Sequence, residues 1–163
     1  MSFGEGAGSV IDFEVMQGRN WPSITQFSIF LENRVGQLLE VVRVFQGSKV
    51  KIVGLSISDS ADCCIVRVLL SHPEQGREIL LRADLAFAEN ELTIVELPSG
   101  PQGLVDLCTA LIQAEINIHY AYPLIVHPHG HAAVALHVDN NESAATTLHA
   151  MGFEILSEAD MNL

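Results

Sequence analysis

The sequence predicts an α+β chain of two consecutive βαββαβ units, each an antiparallel sheet with its helices on one face. Three observations point there. A helical stripe recurs after 66 residues and an alternating strand after 68, and the composition is too apolar for two small domains standing apart.

The first unit opens on the strand-like run "SIFLE". Leu38, Val41, Val42 and Phe45 follow at i, i+3, i+4 and i+7, one apolar stripe of a helix. A short strand, "VKIVGLSI" from Val50, comes next. In the strand after it, Val66, Val68 and Leu70 alternate with Ile65, Arg67 and Leu69. "PEQGREILLRA" reads as a second helix with Pro73 in its first turn, and "LAFAE" as a closing strand.

The second unit repeats this order. Leu104, Leu107, Cys108 and Leu111 carry the helical stripe, and "INIHYAYPLIV" from Ile116 supplies the next strand. Val134, Leu136 and Val138 then alternate with Ala135, His137 and Asp139, the change of offset placing two extra residues at the "HPHG" turn. "NESAATTLHAMG" gives the second helix with Gly152 as its stop, and "FEILSE" the last strand. Each unit therefore has the split βαβ, ferredoxin-like pattern. The division expected is an N-terminal extension at 1–22, a first unit at 23–89 and a second at 90–163. In the extension, "SVIDFEV" alternates like a short strand able to cover a sheet edge.

Two helices on one face leave the other face of each sheet bare, carrying Ile65 and Leu69 but also Arg67 and His137. Domains this small are marginal alone. Side-by-side pairing or stacking of the bare faces accounts for a hydrophobic share of 48%, a charged share of 17% and a mean hydropathy of +0.30. A tandem pair that also dimerises is the expectation.

All eight Lys and Arg lie between Arg19 and Arg82, so residues 83–163 carry eleven acids and no basic side chain apart from histidine. A surface of that sign repels phosphate backbones, which argues against nucleic acid as a partner. No apolar run approaches the roughly 18 residues of a membrane helix, and "MSFGEGAGSVIDFE" lacks the basic start of a signal peptide. The three cysteines, Cys63, Cys64 and Cys108, form no CxxC and suit a reducing compartment. A cytoplasmic protein without a membrane partner is expected.

"SIFLENRVGQLLEVVRVF" resembles the first strand, loop and helix of an ACT domain, whose loop usually runs Asp/Asn-Arg/Lys-Pro-Gly followed by Leu. "TIVELPSGPQGLVDLCTALIQAEINIHYAY" with "GFEILSEADM" looks like the second half of small bacterial tandem ACT proteins, so the resemblance covers roughly residues 24–160. It implies a non-catalytic regulatory protein that binds a small ligand, often an amino acid, at ACT domain interfaces. Carried over to this chain, the first ligand loop is Asn33, Arg34, Val35, Gly36, Gln37 and Leu38. A helix N-terminus there offers free N–H groups to a carboxylate, and Gly36 lets a ligand approach the backbone. Asn33 can orient an amino group or cap the helix. Alternatively, Gly36 only relieves a tight turn.

The second loop, Ser99, Gly100, Pro101, Gln102, Gly103 and Leu104, departs from the pattern. Aligning Leu104 with Leu38 puts Gln102 at the place of Gly36, so this site is altered or empty. Asn117 and Ile118 begin the strand that in the family lies near a neighbour's loop. The resemblance makes an interaction subunit docking on an amino-acid biosynthetic enzyme the alternative reading, and it calls for no cofactor; a homodimer is expected in either case.

His127, His129 and His131 alternate in "HPHGH", and imidazoles in acidic surroundings suit zinc or nickel. A polar turn explains the same residues, leaving a metal-responsive protein as the lesser reading. Catalysis has no signature: GxSxG, HExxH, a P-loop and a dinucleotide GxGxxG are all missing. Cys63 and Cys64 read as small packing residues.

Overall fold

Alternation orients the first strand. In β1 (Ile24–Glu32), Phe27, Ile29 and Leu31 point to one side while Ile24, Gln26, Ser28 and Phe30 point to the other. The computed structural model describes residues 21–162, so the 1–22 extension and its strand-like "SVIDFEV" lie outside the described residues except for Trp21 and Pro22. After β1 come α1 (Gln37–Val44), β2 (Ile52–Asp59), β3 (Cys63–Leu70), α2 (Pro73–Arg82) and β4 (Ala86–Glu96). The second half gives α3 (Gln102–Gln113), β5 (Ile118–Pro123), β6 (Ala133–Val138), α4 (Asn141–Ala150) and β7 (Ile155–Leu156). Short 3-10 turns at Pro128–Gly130 and Glu158–Met161 complete it.

Helix ends follow local chemistry. Pro73 occupies the first turn of α2, where a missing N–H costs nothing. The Asn140 side chain accepts from Ser143 N at 2.9 Å to cap α4. Gly152, at φ +90°, ends α4 in the left-handed conformation that glycine tolerates.

The seven antiparallel strands form one curled sheet in the order β2-β3-β1-β4-β6-β5, with β7 also paired to β4. Two separate strands, "LAFAE" and "TIVEL", are expected where the structure has the single 11-residue strand β4. No Gly or Pro interrupts that stretch, so its alternation runs on. The first part of β4 pairs with β1 from Ala86 to Leu92, and its second part pairs with β6 and β7. One strand thus belongs to both βαββαβ units.

The far edges also meet. Gly54 bridges to Leu124, and Ile125 N donates to Val53 O at 2.9 Å, so β2 returns to the end of β5. The approach is tight: a Cβ on Gly54 would lie 2.8 Å from Leu69 Cδ1 and would push that side chain aside. This curl creates three apolar layers. Helices α1 and α2 cover Phe27, Ile29, Val66, Val68 and Leu80. Helices α3 and α4 cover Val95, Leu136, Val138 and Leu148. Between the sheet halves lie Ile24, Val53, Leu69, Leu92, Ile94, Leu124, Ala135 and Leu156. The bare faces stack, and they stack within one chain.

Toward one end this inner layer turns polar. Gln26 is fully buried; its Nε2 donates to Tyr120 Oη at 2.7 Å and Asn90 Oδ1 at 2.9 Å, and its Oε1 accepts from Tyr122 Oη at 2.6 Å. Burial pushes the Tyr122 phenol well above its ordinary pKa. Arg67 Nη1 donates to Ser58 Oγ at 2.6 Å, and its guanidinium lies 4.3 Å from the centre of the Tyr120 ring. His137 stacks on the same ring at 4.6 Å.

Candidate functional site

Loop 33–38 closes the turn from β1 into α1. Gly36 is the N-cap of α1 with φ +90° and ψ −4°, a conformation that other L residues adopt at about 1–2 kcal/mol. A Cβ there would have no neighbour within 4 Å, so the turn faces open space. Backbone geometry by itself therefore accounts for glycine, and the space over it leaves room for approach. No side chain caps α1, and Glu40 N is the first amide to find a helical acceptor, Gly36 O at 3.1 Å. The amides of Gln37, Leu38 and Leu39 precede the first helical bond and meet no capping side chain. Asn33 does not cap the helix; its Nδ2 donates to Ser60 O at 3.2 Å and ties the loop to the β2–β3 turn.

Arg34 supplies the charge of this loop. It faces Glu40 at 3.4 Å and Glu32 at 3.7 Å, while the amide oxygen of the buried Gln37, facing Arg34, accepts from its Nε at 2.5 Å and Nη2 at 2.9 Å. The ion pairs are solvent-exposed and hold the side chain loosely. Val35 is fully exposed, and Leu39 and Val42 extend its apolar surface along α1 at 50% and 38% exposure. Val42 is assigned to the apolar stripe by spacing, and the fold leaves it on the outer edge of that stripe.

Loop 99–104 divides the same tasks between two glycines. Gly100 takes the left-handed turn at φ +96°, again facing open space. Gly103 is buried, and a Cβ on it would lie 2.5 Å from Pro98 O and 3.3 Å from Pro98 Cδ. By the 66-residue offset, Gly103 stands at the place of Gln37. The Pro98 carbonyl therefore leaves no room for a side chain at the position that Gln37 holds in the first loop. Ser99, Gly100, Pro101, Gln102 and Leu104 are exposed, and Gln102 Nε2 donates to Asp106 Oδ1 at 3.2 Å. Beneath the loop, Pro98, Asp106, Met151 and Phe153 border a groove of about 320 Å³ between α3 and α4.

The structure keeps the candidate groups apart. Loop 33–38 follows the end of β1, whose Phe30 pairs with Ala86 at the start of β4, and loop 99–104 follows the other end of β4. Eleven strand residues separate these ends by about 33 Å. Ile118 pairs with Val138, five residues along β6 from the Ala133 end that lies beside loop 99–104, or about 17 Å. Asn117 O accepts from Asp139 N at 3.3 Å.

The histidines also separate. His129, at φ +54°, places Nδ1 3.2 Å from Glu96 Oε2 and Nε2 3.1 Å from Asp160 Oδ1. The Glu96 hydrogen bond, then the charges of Asp160 and Glu96, hold its pKa above the ordinary 6.5. His127 and His131 are exposed. Among the described residues, no group of three or more His, Cys, Asp or Glu is placed to hold a metal ion. No described helix is long and apolar enough to cross a membrane.

The polar end of the inner layer is a cluster that sequence patterns only hint at. Alternation puts Arg67 and His137 on bare sheet faces, but nothing local predicts that the two faces meet.

A family model described as an ACT domain pair matches residues 22–162. The structure of protein BT0572 from Bacteroides thetaiotaomicron is similar, with 25% identity and a TM-score of 0.77 over 86% of this chain and 96% of that one. The ligand-free regulatory subunit of aspartate kinase from Thermus thermophilus shares the fold at 12% identity and a TM-score of 0.55, over 82% of this chain and 95% of that one. No curated protein matches the chain. The repeat, the βαββαβ order of each half and the family match over nearly all described residues agree, and the chain belongs to the ACT domain pair family.

Proposed function

We propose that this protein is a non-catalytic regulatory module that binds an amino acid or a similar small ligand at loop 33–38. The observation that carries the reading is the entry to α1, where uncapped amides, a left-handed Gly36 facing open space and a fully exposed Val35 coincide. The ligand carboxylate would take the helix N–H groups beside Arg34, the Asn33 side-chain oxygen would accept from its amino group, and Val35 would pack on its side chain. Loop 99–104 is the weaker site, since it departs from the loop pattern and the Pro98 carbonyl crowds Gly103. Residues 23–89 and 90–163 act as the two domains, Asn117 and Ile118 serve the interface before the ligand, and the module works in the cytoplasm as a homodimer.

A thermal-shift screen of the twenty amino acids tests this. A ligand at about 100 times its Kd stabilises by about 2.7 kcal/mol, a Tm rise of roughly 5–10 °C at this size. Gly36→Asn keeps a residue that tolerates φ > 0 and isolates the steric effect of a side chain. The expected result is a shift with one or two related amino acids that Gly36→Asn abolishes in a folded protein. A shift that Gly36→Asn leaves intact would refute the site.

A second reading, a subunit docking on an amino-acid biosynthetic enzyme, draws on the outer face of α3. Leu104, Val105 and Ile112 are 54%, 53% and 76% exposed there, and the helix has one charged residue, Asp106. The similar aspartate kinase subunit is regulatory by name. Copurification of an enzyme that Ile112→Glu releases would favour this reading.

A further inference from the structure

We infer that the polar end of the curled sheet's interior is a second binding site, taking a small monocarboxylate on Arg67, distinct from the loops at the helix entries. Six strands each turn a polar residue toward this end: Ser58 from β2, Arg67 from β3, Gln26 and Ser28 from β1, Asn90 from β4, His137 from β6 and Tyr120 from β5. Their register places them in two adjacent rows, Ser28 and Arg67 in one, Gln26 and Asn90 two residues along β1 in the next. Ser28 pairs with Arg67, Gln26 with Asn90, and His137 with Tyr120. Below them the interior is closed by Ile24, Val53, Leu69, Leu92, Leu124 and Ala135. A polar ring above an apolar floor at the mouth of a curled sheet is where small-molecule sites recur.

The internal bonds of the ring leave specific groups over. Gln26, Tyr120 and Tyr122 satisfy one another. Among the described residues, however, Asn90 Nδ2 and His137 Nδ1 are buried without a hydrogen-bond partner. Buried groups of this kind cost about 1–3 kcal/mol each and call for an explanation. Arg67 is half-buried, engages only Ser58 and the Tyr120 ring, and meets no carboxylate among the described residues, although the chain carries twenty acids. A guanidinium so placed presents Nε and Nη2 as a planar fork that matches a carboxylate.

The charge of the site selects a monoanion. Burial first, then His119 and Arg67, hold the His137 pKa below its ordinary value and keep the ring neutral, so Arg67 is the single positive charge. Beyond Arg67 on the same face lie Phe30, 44% exposed, half-buried Ile65 and exposed Ala88. They form an apolar rim for a short hydrocarbon tail.

Titration of the ¹⁵N-labelled full-length protein with sodium propionate, against sodium chloride at equal ionic strength, tests the assignment. The Arg67 Nε–H and His137 ring resonances should shift saturably with propionate. Arg67→Lys keeps the charge but loses the fork and should weaken binding about tenfold or more. Arg67→Met should abolish it, and Gly36→Asn should leave it unchanged, which separates this site from the loop. Linear shifts that chloride reproduces would overturn the proposal. So would propionate binding that survives Arg67→Lys at full strength, or tighter binding of inorganic phosphate than of propionate. If Arg67→Met fails to fold, Arg67→Lys decides alone.

Discussion

Tyr122→Phe removes one oxygen and tests whether the two units hold together through the buried amide of Gln26. The Tyr122 hydroxyl donates to Gln26 Oε1 at 2.6 Å, where Gln26 is 0% and Tyr122 6% exposed. Phenylalanine keeps the packing but leaves that oxygen without its donor, a loss of about 1–3 kcal/mol. At this chain length each kcal/mol moves Tm by about 2–4 °C, so a central value of about 2 kcal/mol lowers Tm by about 4–8 °C. Trp21 gives a local reporter, since its indole Nε1 donates to Thr146 Oγ1 on α4 at 2.7 Å. Urea unfolding followed by Trp21 fluorescence and by far-ultraviolet circular dichroism should give one coincident transition in wild type and variant, with an unchanged m-value. The Gln26→Leu/Tyr122→Phe double variant should lose about 1 kcal/mol less than the sum of the single losses, because the two residues share one bond. A Tyr122→Phe loss below about 0.3 kcal/mol, or two separate transitions, would refute the claim that this network joins the units.

Two further outcomes follow from side-chain geometry. Gly103→Ala sets a Cβ 2.5 Å from the Pro98 carbonyl, so backbone must shift, and a loss of about 1–3 kcal/mol is expected in chemical denaturation; a neutral result would show that loop 99–104 yields freely. His129 makes stability depend on pH. Its folded pKa is raised by Glu96 and Asp160, so its contribution is full below about pH 6.5 and is lost as pH rises through that higher folded value. The Asp160 pKa is depressed, chiefly by the Ser157 amide, so its own share fades only in acid, as pH falls through its folded value. His129→Asn should therefore lower Tm at pH 6 more than at pH 9, and equal losses at both would refute a charged His129 bridging Glu96 and Asp160.

Local patterns carried the elements because each is written in neighbouring residues. The stripe from Leu38 to Phe45, the alternation from Ile65 to Leu70 and Gly152 after α4 all act within a few residues. The break expected between "LAFAE" and "TIVEL" is different in kind. Sequence repeats suggest two strands, whereas the absence of Gly or Pro lets the ladder to β1 hand over directly to β6 and β7. Gly36 was legible as a turn, but its φ depends on how α1 docks. The polar ring was least legible, since Gln26 and Tyr122 lie 96 residues apart and meet only after the sheet curls on itself. A glutamine in an alternating strand ordinarily signals a solvent face, and here the other half of the same sheet has replaced the solvent.

The shared strand also limits how the proposed ligand loop can work. Loop 33–38 and loop 99–104 stand at opposite ends of β4, about 33 Å apart, so one small ligand cannot touch both in one chain. Nor does the chain's own second unit wall loop 33–38, because Val35 is fully exposed and the space over Gly36 is open. A second wall brought by a neighbouring copy would complete the pocket. Ligand affinity and self-association would then be two measures of one coupling free energy, and each would strengthen the other by the same factor. The Tm rise given by an amino acid should consequently grow with protein concentration, whereas a complete site within one chain would give a rise that concentration leaves alone. The same dependence separates this loop from the ring around Arg67, which one chain builds from six of its own strands.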